Sequence, residues 1–146
     1  MARPHIEPFV DRDVDFKNMD LSGMPNGIKY KILSMDTDNG ACTLTVQYDA
    51  GFKQPPGFCY NEMEIFIQEG SLKVGDKLCL KGHYFFVPAG KSLPEITSET
   101  GALLLIFYNF GPPSFQESDE NHDNCDPSKY ANVNSYEGLD WTGNAL

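Results

Sequence analysis

From Ile28 onward the chain alternates apolar and polar positions with a period of two. Ile28, Tyr30 and Ile32 are separated by Lys29 and Lys31, and Leu44, Val46 and Tyr48 by Thr45 and Gln47. Between these runs Asp38-Asn39-Gly40 supplies turn chemistry, so the spacing predicts a strand, a turn and a strand. Further strands are expected at 63–69, 71–74, 77–80, 84–87, 95–97 and 102–110, with glycine or proline between them. Between residues 28 and 115 no helical i, i+3, i+4, i+7 apolar spacing persists, and turn signals recur about every 8 to 12 residues. The class is all-β, a sandwich or barrel. The run Leu103-Leu104-Leu105-Ile106-Phe107-Tyr108 is apolar at successive positions and so predicts burial on both strand faces. One would be the barrel interior, the other a second sheet or a partner subunit.

Residues 1–27 are rich in proline and charge and read as an N-terminal arm to a barrel at 28–115; an acidic tail follows at 116–146. The length, 146 residues, is that of one domain. Twenty-one acidic against 11 basic side chains give a net charge of -10, which disfavours nucleic-acid partners. No apolar run is long enough for a membrane span, and the start lacks the apolar stretch of a secretory signal. Cys42, Cys59, Cys79 and Cys125 form no CxxC pair, which fits reduced thiols in a cytoplasmic protein. In the tail, Glu120, His122, Asp123, Cys125 and Asp126 have metal-binding side chains, yet a turn-rich acidic loop does not preorganise ligands. Tyr130, Val133, Tyr136, Leu139 and Trp141 are apolar enough to dock on the barrel.

Two stretches carry a family resemblance. Met63-Glu64-Ile65-Phe66-Ile67-Gln68-Glu69-Gly70-Ser71-Leu72 and Gly82-His83-Tyr84-Phe85-Phe86-Val87-Pro88-Ala89-Gly90 resemble the two halves of the cupin signature. The resemblance covers roughly residues 28–115, is nearest to cupin domains of anti-sigma-factor type, and implies a cupin-like jelly-roll barrel and a homodimer. Turn geometry agrees independently: Gly70, Gly75, Gly82 and Gly90 punctuate the strands where tight turns call for positive φ.

A typical cupin holds a divalent metal on two histidines and a glutamate from the first half and a histidine from the second. Here the implied ligand positions carry Gly57 and Cys59 (or Pro56 and Phe58), Met63 and Leu93. All four depart from the pattern. Period-two geometry turns Met63, Ile65 and Ile67 inward and Glu62, Glu64 and Phe66 outward. The expected ligand pocket is therefore apolar and sulfur-lined, built from Cys59, Met63, Ile65, Phe86 and Leu93, with Gln54, Tyr60 or Glu64 as polar groups and no metal cofactor.

That reading gives a barrel binding a small, largely apolar molecule. The alternative is an enzyme: a metal-dependent dioxygenase or lyase with relocated ligands (Glu62, Glu64, His83), or a metal-free isomerase or epimerase. The latter would need a bulge near Asn61 to turn Glu62 or Glu64 inward as a base of raised pKa. Cys59 is read as a buried structural thiol, with Cu(I) binding alongside Met63 as the sharper possibility. His5 belongs to the arm. A third reading is an inactive scaffold half of a two-barrel protein.

Overall fold

The structure is a computed structural model that describes residues 3–21 and 23–118. The tail residues named above lie outside the described residues. The strands among the described residues are β1 (Lys17–Asn18), β2 (Ile28–Met35), β3 (Cys42–Tyr48), β4 (Phe52–Gln54), β5 (Gly57–Phe58), β6 (Met63–Val74), β7 (Lys77–Leu80), β8 (Tyr84–Val87), β9 (Ile96–Ser98), β10 (Ala102–Tyr108) and β11 (Gln116–Glu117).

All the pairings are antiparallel. The front sheet runs β1-β2-β3-β10-β6-β8, and the back sheet runs β4-β9-β6-β7. Strand β6 belongs to both: Met63 to Phe66 pair with β8, and Ser71 to Val74 with β7. The two strands expected at 63–69 and 71–74 are thus one. They join through Gly70 at φ 78°, where a Cβ would strike the carbonyl oxygen of Gly101. The register against β10 slips between Leu103 and Leu104, and the strand bends there from one sheet into the other.

Alternation decides what the sheets enclose. Tyr30, Ile32, Leu44, Val46, Ile65, Ile67, Leu104 and Ile106 are each at most 2% exposed and form one core with Leu72, Val87 and Ile96. At about 25 cal/mol per Å² of apolar surface removed from water, this shared interior is the main force holding the curled sheet closed. The fold is all-β, as the strand pattern predicts, and agrees with the cupin-like barrel that the resemblance implies. No helix is long and apolar enough to cross a membrane among the described residues.

The arm is part of this architecture. Strand β1 adds to the edge of β2, and Met19, 7% exposed, reaches the core. Upstream, Arg3 donates from Nη1 to Ser34 Oγ (2.9 Å) and Thr43 Oγ1 (2.8 Å), while Lys31 Nζ donates to the Asp11 carbonyl (2.9 Å). Arg3 and Asp11 therefore anchor the arm on the outer face of β2 and β3.

Candidate functional site

The positions that carry metal ligands in the cupin pattern do come together. Gly57 and Leu93 exchange backbone hydrogen bonds (3.2 and 2.7 Å), and Gly90 N donates to the Cys59 carbonyl (2.8 Å). Cys59, Met63, Ile65 and Leu93 are 4, 5, 2 and 7% exposed and share the core cluster. Of the two placements weighed, Cys59 rather than Phe58 joins that cluster. What gathers is an apolar lining with two sulfur atoms.

Burial governs its chemistry. The Cys59 thiol is pushed up to about 12, so it is protonated at neutral pH and not a thiolate nucleophile. The phenols of Tyr48 and Tyr108 are also raised, first by burial and then by the proximity of Cys59. These two hydroxyls beside the thiol are polar groups that period-two reading of β6 alone did not find. Gln54 is buried at 5% exposure. Tyr60 is buried too, but its hydroxyl donates to Gln116 Oε1 (3.0 Å).

Phe86 requires a correction. It pairs with Glu64 across β6 and β8, on the outer face, and is 45% exposed. The inward residues of β8 are Phe85, opposite Ile65, and Val87, opposite Met63. The hairpin register, which sequence spacing leaves free by one residue, decides the matter.

The glutamates follow the outward placement. Glu64 Oε1 accepts from the Tyr84 hydroxyl (2.7 Å) and Oε2 from Asn109 Nδ2 (3.2 Å). These bonds hold its carboxyl below the ordinary range, the reverse of the raised pKa that an inward base would need. Glu62 is half-buried just ahead of β6. His83 closes the turn between β7 and β8, where its Nδ1 accepts from Leu80 N (2.8 Å). His5 sits on the exposed arm beside Glu7, 3.1 Å away. Among the described residues, no three His, Cys, Asp or Glu side chains converge as a metal site would require.

Sequence reading also missed the segment that follows β10. Residues 111–115 are buried, and they strap one end of the barrel. Tyr60 N donates to Ser114 Oγ (3.0 Å), Asn61 Nδ2 to the Pro112 carbonyl (3.0 Å) and Ser118 N to the Pro56 carbonyl (2.9 Å). Strand β11 pairs with β5 beside them. The Phe115 ring lies against Gly57 so closely that a Cβ there would be 2.6 Å from Cζ. Glycine at this ligand position therefore makes room for the Phe115 ring and for the Gln116 carbonyl of β11, which a Cβ would strike first.

Phe115 has a second side. An open groove of about 660 Å³ is lined by Met24, Asn26, Asp49, Phe52, Lys53 and Phe115, among others. Phe52 stacks on Tyr48 with ring centroids 4.0 Å apart, and both rings belong to the core cluster with Phe115. The groove contains none of Cys59, Met63, Ile65 and Leu93, so Phe115 and Phe52 stand between it and the interior lining.

An all-β barrel of this topology, with its ligand positions facing inward, is a cupin fold. Residues 11–112 match the ChrR Cupin-like domain, and the chain belongs to that family. Comparison with curated proteins finds no match. Among solved structures, the polyketide cyclase RemF from Streptomyces resistomycificus is similar at 19% identity and a TM-score of 0.64, over 88% of this chain and 94% of that one. An acetylacetone dioxygenase from Acinetobacter johnsonii is similar at 12% identity and 0.60, over 90% and 93%. A provisionally assigned dioxygenase from Nostoc punctiforme aligns at 24% identity and 0.72 over 80% of this chain, which spans 43% of that protein's length. At these identities the likeness speaks for the fold.

Proposed function

We propose that this cupin-fold chain binds a small, largely apolar organic molecule in its barrel, without the usual metal site. Such a molecule would pass from the open groove beyond Phe115 and pack against Cys59, Met63, Ile65 and Leu93. The Tyr48 and Tyr108 hydroxyls would then fix its orientation. The observation that carries the reading is the double position of Phe115, a wall of the groove on one side and a member of the core on the other. Its ring lies against Gly57, one of the ligand positions of the cupin pattern. The lining of Cys59, Met63, Ile65 and Leu93 offers apolar contact and few polar partners, which suits a largely apolar molecule.

The test is methyl-resolved NMR of the full chain with toluene, indole and acetylacetone as probes. Saturable shifts confined to the methyls of Met63, Ile65 and Leu93 are expected, with at least tenfold tighter binding in Phe115→Ala. If those methyls stay still in both proteins, the reading is wrong. An enzyme remains the alternative, and the names of the structural neighbours, a cyclase and dioxygenases, suit small organic substrates. For a metal-dependent form, stoichiometric Fe(II), Mn(II), Ni(II) or Zn(II) retained by the purified chain and lost on replacing Glu64 or His83 would favour it.

A further inference from the structure

Register sets two adjacent rows of side chains on the outer face of the front sheet. Phe107, Glu64 and Phe86 are neighbours across β10, β6 and β8, and beside them run Leu105, Phe66 and Tyr84. Glu64 therefore stands between two rings, with Tyr84 on the diagonal, all within reach of aromatic side chains. Phe66, Tyr84 and Phe86 are 39, 55 and 45% exposed, an aromatic surface of the kind that marks an interaction site. Over β2 and β3 the same face turns polar, with Lys31, Ser34, Thr43 and Thr45 outward and the arm anchored on them. In the aromatic half, the central carboxylate decides what can bind.

That carboxylate is fixed and uncompensated. The Tyr84 hydroxyl holds Oε1 and Asn109 Nδ2 holds Oε2, from opposite sides of β6. Both donors are neutral, and among the described residues Glu64 makes no ion pair. Other charges on the face are matched: exposed Glu69, opposite Leu103, is 3.2 Å from Lys81 Nζ, and Lys29 Nζ is 3.6 Å from Asp49. Glu62, half-buried just ahead of β6, adds to the negative sign. Each Glu64 oxygen accepts one bond from its own chain and keeps capacity for another.

We propose that Glu64 and the rings of Phe66, Tyr84 and Phe86 form a surface site for a guanidinium group, carried as an arginine side chain by a basic segment of a partner protein. Charge complementarity selects the sign: the chain carries -10, and carboxylate and ring faces both attract a cation. An entirely apolar partner would bury the Glu64 charge without a counter-ion. Geometry selects guanidinium over ammonium. Its planar fork donates to both oxygens of a carboxylate and its face stacks on an aromatic ring, whereas ammonium is a compact, strongly hydrated charge. A protein segment is favoured over a free guanidinium compound, because several basic residues draw on the field of the whole chain and three exposed rings contact the residues flanking the arginine.

NMR titration of the full chain with the peptide acetyl-Arg-Val-Arg-amide, read at the Asn109 side-chain amide, tests this. A saturable shift is expected, weakened about tenfold when citrulline replaces arginine and several-fold when lysine does. Glu64→Gln should weaken binding about tenfold, and Phe86→Leu, which keeps apolar bulk but loses the ring, several-fold. Glu69→Gln removes the same charge from the same face and should leave affinity within about twofold, since Lys81 already pairs with Glu69. Circular dichroism should be unchanged in all three variants. Equal binding of the citrulline or lysine peptide overturns the proposal, as does a loss in Glu69→Gln as large as that in Glu64→Gln. Methylguanidinium binding as tightly as the peptide would assign the site to a free small cation instead. Absence of a shift with the peptide overturns it as well, and an Asn109 signal that moves only with dilution of the chain would make a second copy the occupant.

Discussion

The two faces of β6 carry adjacent residues with opposite fates. Inward, Met63, Ile65 and Ile67 sink to between 0 and 5% exposure and line the interior. Outward, Phe66 keeps 39% exposure, and Glu64 is tied to groups on the strands to either side of β6 or just beyond them. The inner face is apolar because the barrel closes on it. The outer face is apolar across β6 and β8, where Phe66, Tyr84 and Phe86 keep 39, 55 and 45% exposure among the described residues.

The largest expected effect breaks the comparison at one peptide bond. Ile67→Ala should cost about 2–5 kcal/mol, since it empties a fully enclosed site. Its neighbour Phe66→Ala should cost less than about 1 kcal/mol when measured at dilute, monomeric concentration. For a chain of this length the first corresponds to a fall in Tm of roughly 10 °C and the second to a few degrees at most. Similar losses in urea denaturation would mean that the two faces are wrongly assigned.

How much of this was legible follows from the same alternation. The period of two between Ile28 and Tyr48, and again from Met63 to Ile67, predicts which side chains face inward, and glycine spacing places the turns. Gly70, Gly75, Gly82 and Gly90 all take positive φ, as that spacing requires. Phe86 shows where such reasoning stops: a strand of four residues has two possible registers, and only pairing with β6 selects one. Phe115 was invisible for another reason. It reaches the interior through an irregular segment with no period, and the one signal available was a glycine at 57 where the cupin pattern has a ligand.

Titration separates the two faces from opposite ends of the pH scale. Inside, Cys42 and Cys59 are pushed from 9.0 up to about 12, chiefly by burial, and Tyr48 and Tyr108 are also raised. The folded chain keeps protons that the unfolded chain releases once pH passes the ordinary thiol value. Stability from these groups is complete below about pH 9 and declines as pH rises toward about 12. Glu64 has the opposite sign: its lowered carboxyl contributes above its ordinary value and loses that contribution as acid protonates it in the fold. Urea midpoints at pH 7, 9, 10 and 11 should therefore fall steadily on the alkaline side, with a shallower slope in Cys59→Ala. A flat profile to pH 11 would mean that the thiols and phenols are open to water.

The smallest effect tests the arm as a roof. Thr45 is 1% exposed on the polar half of the outer face, and its Oγ1 has no hydrogen-bond partner among the described residues. A buried hydroxyl left unpaired costs about 1–3 kcal/mol relative to a satisfied one. Valine keeps the β-branched shape that suits β3 and removes the hydroxyl. Thr45→Val should then raise stability by about 1 kcal/mol, whereas the same exchange at Thr43, which accepts from Arg3, should lower it. The contrast is informative because both residues lie on one strand, two positions apart, and face the same way. If Thr45→Val destabilises as Thr43→Val does, the Thr45 hydroxyl has a partner, and the arm is a hydrated cover rather than a dry one.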